Sequence, residues 1–354
     1  LSYKVLDLFC GAGGLSLGFK NAGFIIAGGV DFNKAAMDTH NANFNTKFHY
    51  CGDIQEISDI TVVNELNDID VIIGGPPCQG FSSANRYTPI EDDPRNKLFL
   101  EYMRFVRLIK PSVFVIENVQ GILTRDNGYA KNKILEITTE LGYNVSVSVL
   151  NAYDYGVPQT RKRAFFVGIR NDLNKAFNFD SIQPKFTDTT VFDAIGDLEQ
   201  LENKANFNTL KEILRSPIQN YYYAEKMDQI ANHDISTHSK QVVERMKFVP
   251  QGGNWRDIPD SMWDTQRNNR HSSAYRRLSY NKPSITIDTG HMNYFHPIFH
   301  RVPTVRESAR IQTFTDSFVF LGSKTDQFRQ VGNAVPAILS ECIASAILSS
   351  ILGG

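Results

Sequence analysis

Cysteine is scarce: the 354 residues hold four, Cys10, Cys51, Cys78 and Cys342, with no C-x-x-C pair among them. That spacing excludes a disulfide scaffold, a redox dithiol and a zinc finger. Long hydrophobic runs are lacking too. None approaches the roughly 18 residues of a membrane span, and Lys20 and Asn21 break the N-terminal apolar stretch. The expectation is a protein of a reducing, cytoplasmic compartment with no membrane partner. Repeats and low-complexity tracts are absent. Net charge is also missing, since 37 Lys and Arg face 38 Asp and Glu. The overall balance therefore does not advertise a nucleic-acid protein.

What is present is ordinary globular composition, 42% hydrophobic and 21% charged, in a chain long enough for about two domains. Charge is unevenly spread. Residues 265–287 carry Arg267, Arg270, Arg276, Arg277 and Lys282 and no acid. Such a face attracts phosphates even on a neutral molecule, although a solvated loop reads the same way.

Up to about residue 170, apolar β-rich runs alternate with helix-periodic segments. Strands are predicted at 3–9, 24–30, 70–74, 112–117, 143–150 and 163–169, and helices after 13, at 33–43, 97–109 and 129–141. This alternation predicts an α/β fold, a mostly parallel sheet with helices on both faces. Right-handed crossovers place the strand carboxyl ends along one edge, where ligands bind. Past residue 180 the rhythm stops, and 181–300 are richer in Asn, Gln, Tyr and His. Residues 334–352 read as one apolar helix.

Three segments carry chemistry. Asp7-Leu8-Phe9-Cys10-Gly11-Ala12-Gly13-Gly14 ends a strand and opens a helix, so glycines and free helix N–H groups face a ligand. Ser16 breaks the dinucleotide fingerprint, which disfavours NAD. Asp31 and Asp53 follow the next two strands, placed to accept hydrogen bonds from ribose hydroxyls and an adenine amino group. Gly74-Gly75-Pro76-Pro77-Cys78-Gln79 displays a thiol at the ligand edge on a stiff turn, a candidate nucleophile. Glu117-Asn118-Val119 ends the next strand, where a desolvated carboxyl would hold a proton more readily. Gln159-Thr160-Arg161-Lys162-Arg163 sets two arginines at alternate positions, pointing one way on an extended chain.

Together with Gly332-Asn333-Ala334-Val335-Pro336 and a run of Arg301, Thr304, Arg306, Glu307, Ala309, Arg310, Ile311 and Gln312, these segments resemble the DNA (cytosine-5)-methyltransferases of bacterial restriction-modification type. The resemblance covers nearly the whole chain. Departures are Asp31, where the family more often has Glu, and Pro303 and Thr315, where it usually shows Leu and Pro.

The resemblance implies a Rossmann-like catalytic domain at 1–180, a smaller loop-rich target-recognition domain at 181–320, and a helix at 321–354 returning to the first. It implies methyl transfer from S-adenosylmethionine to carbon 5 of a flipped-out cytosine in double-stranded DNA, by a monomer without a metal. Cys78 would attack carbon 6, Glu117 hold the base edge, and Arg161 and Arg163 stabilise the intermediate. The cofactor pocket would comprise Phe9, Gly11, Gly13, Asp31, Phe32, Asp53, Ile54, Pro76, Leu98, Asn333 and Ala334, with Phe32 stacked on adenine. Residues 79–97 look like a loop that closes over DNA. Ser82, Arg86, Arg256, Arg267, Arg270, Arg276 and Arg277 are candidate DNA contacts. Tyr221, Tyr222 and Tyr223 read as packing ahead of DNA stacking. His291, His296 and His300 have loose metal-like spacing without supporting ligands. Two alternatives stay open, a tRNA cytosine-5 methyltransferase and a catalytically silent DNA-binding relative. The long variable segment argues against the first, and the intact Cys78, Glu117 and arginines against the second.

Overall fold

A computed structural model describes residues 2–77, 97–199, 216–223, 229–263, 274–290 and 294–353. The chain divides into two compact units. The first comprises Leu1–Tyr155, Lys162–Lys185 and Val335–Gly354, and the second Gly156–Arg161 and Phe186–Ala334. The division thus runs at 185/186, and residues 156–161 and 321–334 belong to the second unit.

The first unit is built on β1 (Lys4–Leu8), β2 (Ile25–Asp31), β3 (Phe48–Cys51), β4 (Val71–Gly74), β5 (Val113–Val119), β6 (Tyr143–Asn151) and β7 (Lys162–Arg170). They form one sheet in the order β3-β2-β1-β4-β5-β7-β6. β1 to β5 pair in parallel, while β7 runs antiparallel between β5 and β6. Its helices are α1 (Gly14–Asn21), α2 (Lys34–Phe44), α3 (Asp59–Glu65), α4 (Lys97–Ile109) and α5 (Tyr129–Glu140). This is the mostly parallel α/β sheet that the alternating pattern predicts. Strands buried on both faces are apolar throughout: Val71, Ile72, Ile73 and Val113 to Ile116 are wholly inaccessible.

The second unit comprises α6 (Val191–Ile195), α7 (Pro217–Tyr222), α8 (Lys240–Lys247), β8 (Arg276–Arg277) paired with β9 (Tyr294–Phe295), α9 (Val305–Ile311) and α10 (Lys324–Asn333). Capping boxes at Thr190, Ser216, Thr304 and Ser323 start four of these short helices. Its interior is partly ionic. Arg310 is buried, bonded twice to Asp316 (2.9 and 2.6 Å) and once to Asp197 (2.7 Å). Arg301 is bidentate to Glu307 at 2.8 Å, and Arg306 donates to the carbonyls of Ala231, Thr315 and Phe318. The arginine-rich run around α9 is therefore framework inside this unit.

The C-terminal apolar segment does not form one helix from residue 334. It starts again after Pro336 as α11 (Ala337–Ile347) and ends in a π turn, Leu348–Leu352. Contrary to the sequence expectation, Lys324–Leu352 is long and apolar enough to span a membrane by composition, yet 72% of its most apolar window is buried. Ser340 on α11 donates to the Leu15 carbonyl on α1 at 2.8 Å, and Gly18 leaves no room for a Cβ against Ser340.

Candidate active site

The sheet order reverses direction of growth between β1 and β4, so a crevice opens outside their carboxyl ends. The chain leaves β1 through Phe9 (φ 59°), Gly11 (φ 53°) and Gly13 (φ 100°). Gly13 is the N-cap of α1 and offers no side-chain bond to it, which leaves the first helical N–H groups for a ligand. A Cβ on Gly11 would meet nothing within 4 Å, so one side of the loop is open. On Gly13 it would lie 2.4 Å from the Phe44 ring, so there the loop is closed by α2.

Asp31 ends β2, and its carboxylate accepts the Gly11 and Asn33 N–H groups, each at 2.9 Å. Burial pushes its pKa up, against the pull of those bonds. Phe32 follows with 77% of its surface exposed, an aromatic face left in solvent beside the glycine loop's own anchor. Asp53 caps the turn Ile54–Glu56, accepting Gln55 N–H at 3.0 Å, with Ile54 buried beneath. Leu98 packs half-buried on the core from α4. Asn333 and Ala334 end and cap α10, in the second unit. The open glycine loop, the uncapped helix start, the oriented acid and the exposed ring fit an adenosyl group carrying a charged tail.

The residues expected to be catalytic separate into three groups. Glu117 and Arg163 come together: β5 and β7 are paired neighbours, and Arg163 Nε lies 2.9 Å from Glu117 Oε1, both side chains mostly buried. The turn after β4 is beside them, since a Cβ on Gly75 would lie 3.2 Å from Glu117 Oε2. Asn118 Nδ2 donates to the Pro76 carbonyl at 3.0 Å, tying β5 to the turn that leads to Cys78. Asn118 has no role assigned from the sequence; its place directly after Glu117 is the signal that points to it. Cys78 itself lies outside the described residues, as do Ser82, Arg86, Arg267, Arg270, His291 and most of the 79–97 loop.

Arg161 corrects the expectation of a matched arginine pair. It belongs to the second unit, is buried, and donates to the carbonyls of Ile287 and Gly332, each at 3.0 Å. Neighbouring Gln159 likewise binds Gln312 and the Ile287 N–H. Arg277 is a second correction. As a DNA contact it is ruled out by burial, because its guanidinium is spent on the carbonyls of Val249, His296, Phe299 and Met246. Arg276 beside it is half-buried, and Arg256 is exposed with its guanidinium 5.2 Å over the Trp255 ring. Tyr221, Tyr222 and Tyr223 donate to Thr313 O, Arg310 O and Asp197, so they are packing. His296 is buried 3.6 Å from Glu307, and burial pushes its pKa down to about 4.

A family description, C-5 cytosine-specific DNA methylase, matches residues 3–349. The chain is 40% identical to the Type II methyltransferase M1.HphI of Haemophilus parahaemolyticus, over 98% of this chain and 87% of that protein. It is 34% identical to M.DdeI of Desulfomicrobium norvegicum, over 97% and 88%. A solved E. coli structure, described as a candidate prophage-encoded DNA modification methyltransferase, superposes with a TM-score of 0.80 at 30% identity, covering all of both chains. The S. pombe Dnmt2 methyltransferase shares the fold, with a TM-score of 0.60 at 18% identity. Fold and site thus define an S-adenosylmethionine-dependent methyltransferase. The chain belongs to the C-5 cytosine-specific DNA methylases, and its activity is methylation of cytosine in DNA at carbon 5.

Proposed function

We propose that the first unit carries out this transfer through a covalent Cys78 adduct on a cytosine turned out of the duplex, within a specific double-stranded target. The Glu117–Arg163 pair carries the reading, because Glu117 ends β5, the neighbour of the β4 strand whose turn leads to Cys78, and Arg163 reaches it from β7, the next strand over. Bound S-adenosylmethionine, held by the β1 loop, Asp31, Phe32 and Asp53, supplies an electrophilic methyl group. The chain's own residues make carbon 5 able to accept it. The Cys78 thiolate adds to carbon 6, forming a C–S bond while the ring takes a proton at N3. Glu117 holds N3 and the amino group, and Arg163 beside it offsets charge that builds on the base. Methylated carbon 5 then loses its proton to a base, N3 gives back the proton it took, the ring double bond re-forms and the thiolate leaves. None of these atoms is reachable within stacked DNA, so the base must flip.

The second unit, which carries none of this chemistry, would select the target. Arg256 and Arg276 are the described candidates for DNA contact, and Arg161 serves as a framework residue. The protein would act as a monomer on DNA in the bacterial cytoplasm, as the methyltransferase of a restriction-modification pair. The test is a duplex carrying 5-fluorocytosine, which cannot lose fluorine as a proton. Wild type with cofactor should be trapped covalently at Cys78, and Cys78→Ser should neither trap nor turn over. An adduct on another cysteine, or methylation by Cys78→Ser, overturns the assignment.

A further inference from the structure

Beneath the cofactor loop lies a buried polar chain that the reaction above does not use. Asp7 on β1, Ser16 on α1 and His40 on α2 are each fully inaccessible. Ser16 Oγ donates to Asp7 Oδ2 at 2.6 Å and lies 3.2 Å from His40 Nε2. Polar groups in such a site are costly unless bonded, so a chain kept in the core of an otherwise apolar sheet calls for a reason.

The reason lies in what the three elements carry. β1 leads directly into Phe9 and Gly11, α1 begins at the Gly13 cap, and α2 begins just after Asp31 and Phe32. One face of α2, at positions 37, 40 and 44, meets the glycine loop from below. Met37 Sδ lies 3.4 Å from Cys10 Sγ. A Cβ on Gly13 would be 3.0 Å from the His40 ring and 2.4 Å from Phe44, and one on Gly29 would be 2.6 Å from His40. The imidazole is thus wedged between the loop and β2, where only glycines leave room. From the other side, Asp31 grips Gly11 N–H. The ribose-side turn and the glycine loop are therefore braced against each other at two levels.

We infer that Asp7, Ser16 and His40 are positioning residues for S-adenosylmethionine: their hydrogen-bond chain sets the register of the Gly11–Gly13 loop against the Asp31–Phe32 turn. Serine and histidine suit the task because both can donate or accept. With Asp7 ionised, Ser16 donates to it and His40 Nε2–H donates to Ser16. With Asp7 protonated the chain runs in the opposite direction and no bond is lost. Burial holds the pKa of His40 down at about 3, so the imidazole stays neutral and serves as a hydrogen-bonding strut in either direction. A loop that must be ordered on binding lowers affinity even when every contacting residue is retained.

This inference rests on the cofactor pocket proposed above, and the experiment separates the two. Ser16→Ala, His40→Ala, Asp7→Ala, Asp7→Asn and Phe32→Ala are compared in the full chain for cofactor KM, DNA KM and kcat, well below each melting temperature. Ser16→Ala, Asp7→Ala and His40→Ala should raise cofactor KM about tenfold, with DNA KM and kcat within about twofold. Asp7→Asn still accepts from Ser16 and should restore cofactor KM to near the wild-type value. If Phe32→Ala leaves cofactor KM unchanged, the pocket is misplaced. If Phe32→Ala raises it while the three alanine variants do not, or if they shift DNA KM equally, the positioning role is overturned. Should His40→Ala fail to fold, Ser16→Ala and the Asp7 pair decide the matter.

Discussion

Asp7→Asn should make the first unit more stable at high pH and leave it nearly unchanged at low pH. Burial of the Asp7 carboxyl pushes its pKa from 3.8 to about 7, with the Ser16 hydroxyl pulling down and Asp31 pushing further up. Its other neighbours give no relief: Cys10 and Tyr102 are themselves pushed up, and His40 is neutral. A carboxyl whose folded pKa is raised binds a proton more tightly folded than unfolded. Below pH 4 both states are protonated and nothing is lost. Between about pH 4 and 7 the unfolded chain releases the proton and the folded one does not, so stability falls steadily as pH rises. Each tenfold difference in proton affinity is worth about 1.4 kcal/mol, so above pH 7 the loss reaches about 4 kcal/mol.

Asparagine has the same shape, keeps the acceptor for Ser16 and cannot ionise. The wild-type-minus-variant difference therefore isolates this one titration from every other group in the chain. Both tryptophans, Trp255 and Trp263, lie in the second unit, so tryptophan fluorescence would report the wrong body. Hydrogen exchange of β1 and β4 amides along a urea gradient reads the first unit directly. The variant should match wild type within about 1 kcal/mol at pH 4.5 and exceed it by about 3–5 kcal/mol at pH 8.5. A difference that stays constant across that range would refute the reasoning.

Phe32→Ala leaves no cavity, because the ring is 77% exposed, and should not move the melting temperature. If the ring stacks on adenine at about 1–3 kcal/mol, cofactor Kd rises about 5- to 150-fold in calorimetry. Arg310→Met strands the buried Asp316 and Asp197 carboxylates and should destabilise the second unit by about 3–5 kcal/mol, read by tryptophan fluorescence in urea. Arg277→Ala should lower that unit's stability by freeing four carbonyls, whereas Arg256→Ala should leave stability alone and reduce the salt slope of DNA binding by about one counterion.

How far the sequence could be read follows from which forces hold each unit. The first unit is a sheet buried on both faces, and its strands appear as uninterrupted apolar runs such as Val71-Ile72-Ile73. Helix α4 is found at its predicted bounds because its apolar positions repeat over three turns. What stays vague there is short or mixed: β3, a four-residue edge strand with no fully buried position, is implied by Asp53 but given no bounds, and α3, barely two turns, is not read at all. Asp7, Ser16 and His40 sit in three different elements, and no spacing rule links them before the fold does. The second unit hides its logic differently. Its core includes Arg306 and Arg310, whose charge a linear reading assigns to the surface.

The basic stretch shows why that assignment fails. In β8 successive side chains point to opposite faces, so an Arg-Arg pair in a strand cannot expose both members when one face is covered. Arg277 turns inward, where four carbonyls at the ends of short elements need donors that no apolar residue supplies. Arg276, on the opposite face, stays half-buried. A small unit poor in regular structure leaves many carbonyls unpaired by strands or helices, and a planar guanidinium with five N–H groups satisfies several of them at once. Arginine in such a unit therefore competes between bonding its own backbone and binding phosphate. Counting basic residues overstates the DNA face by however many the framework consumes.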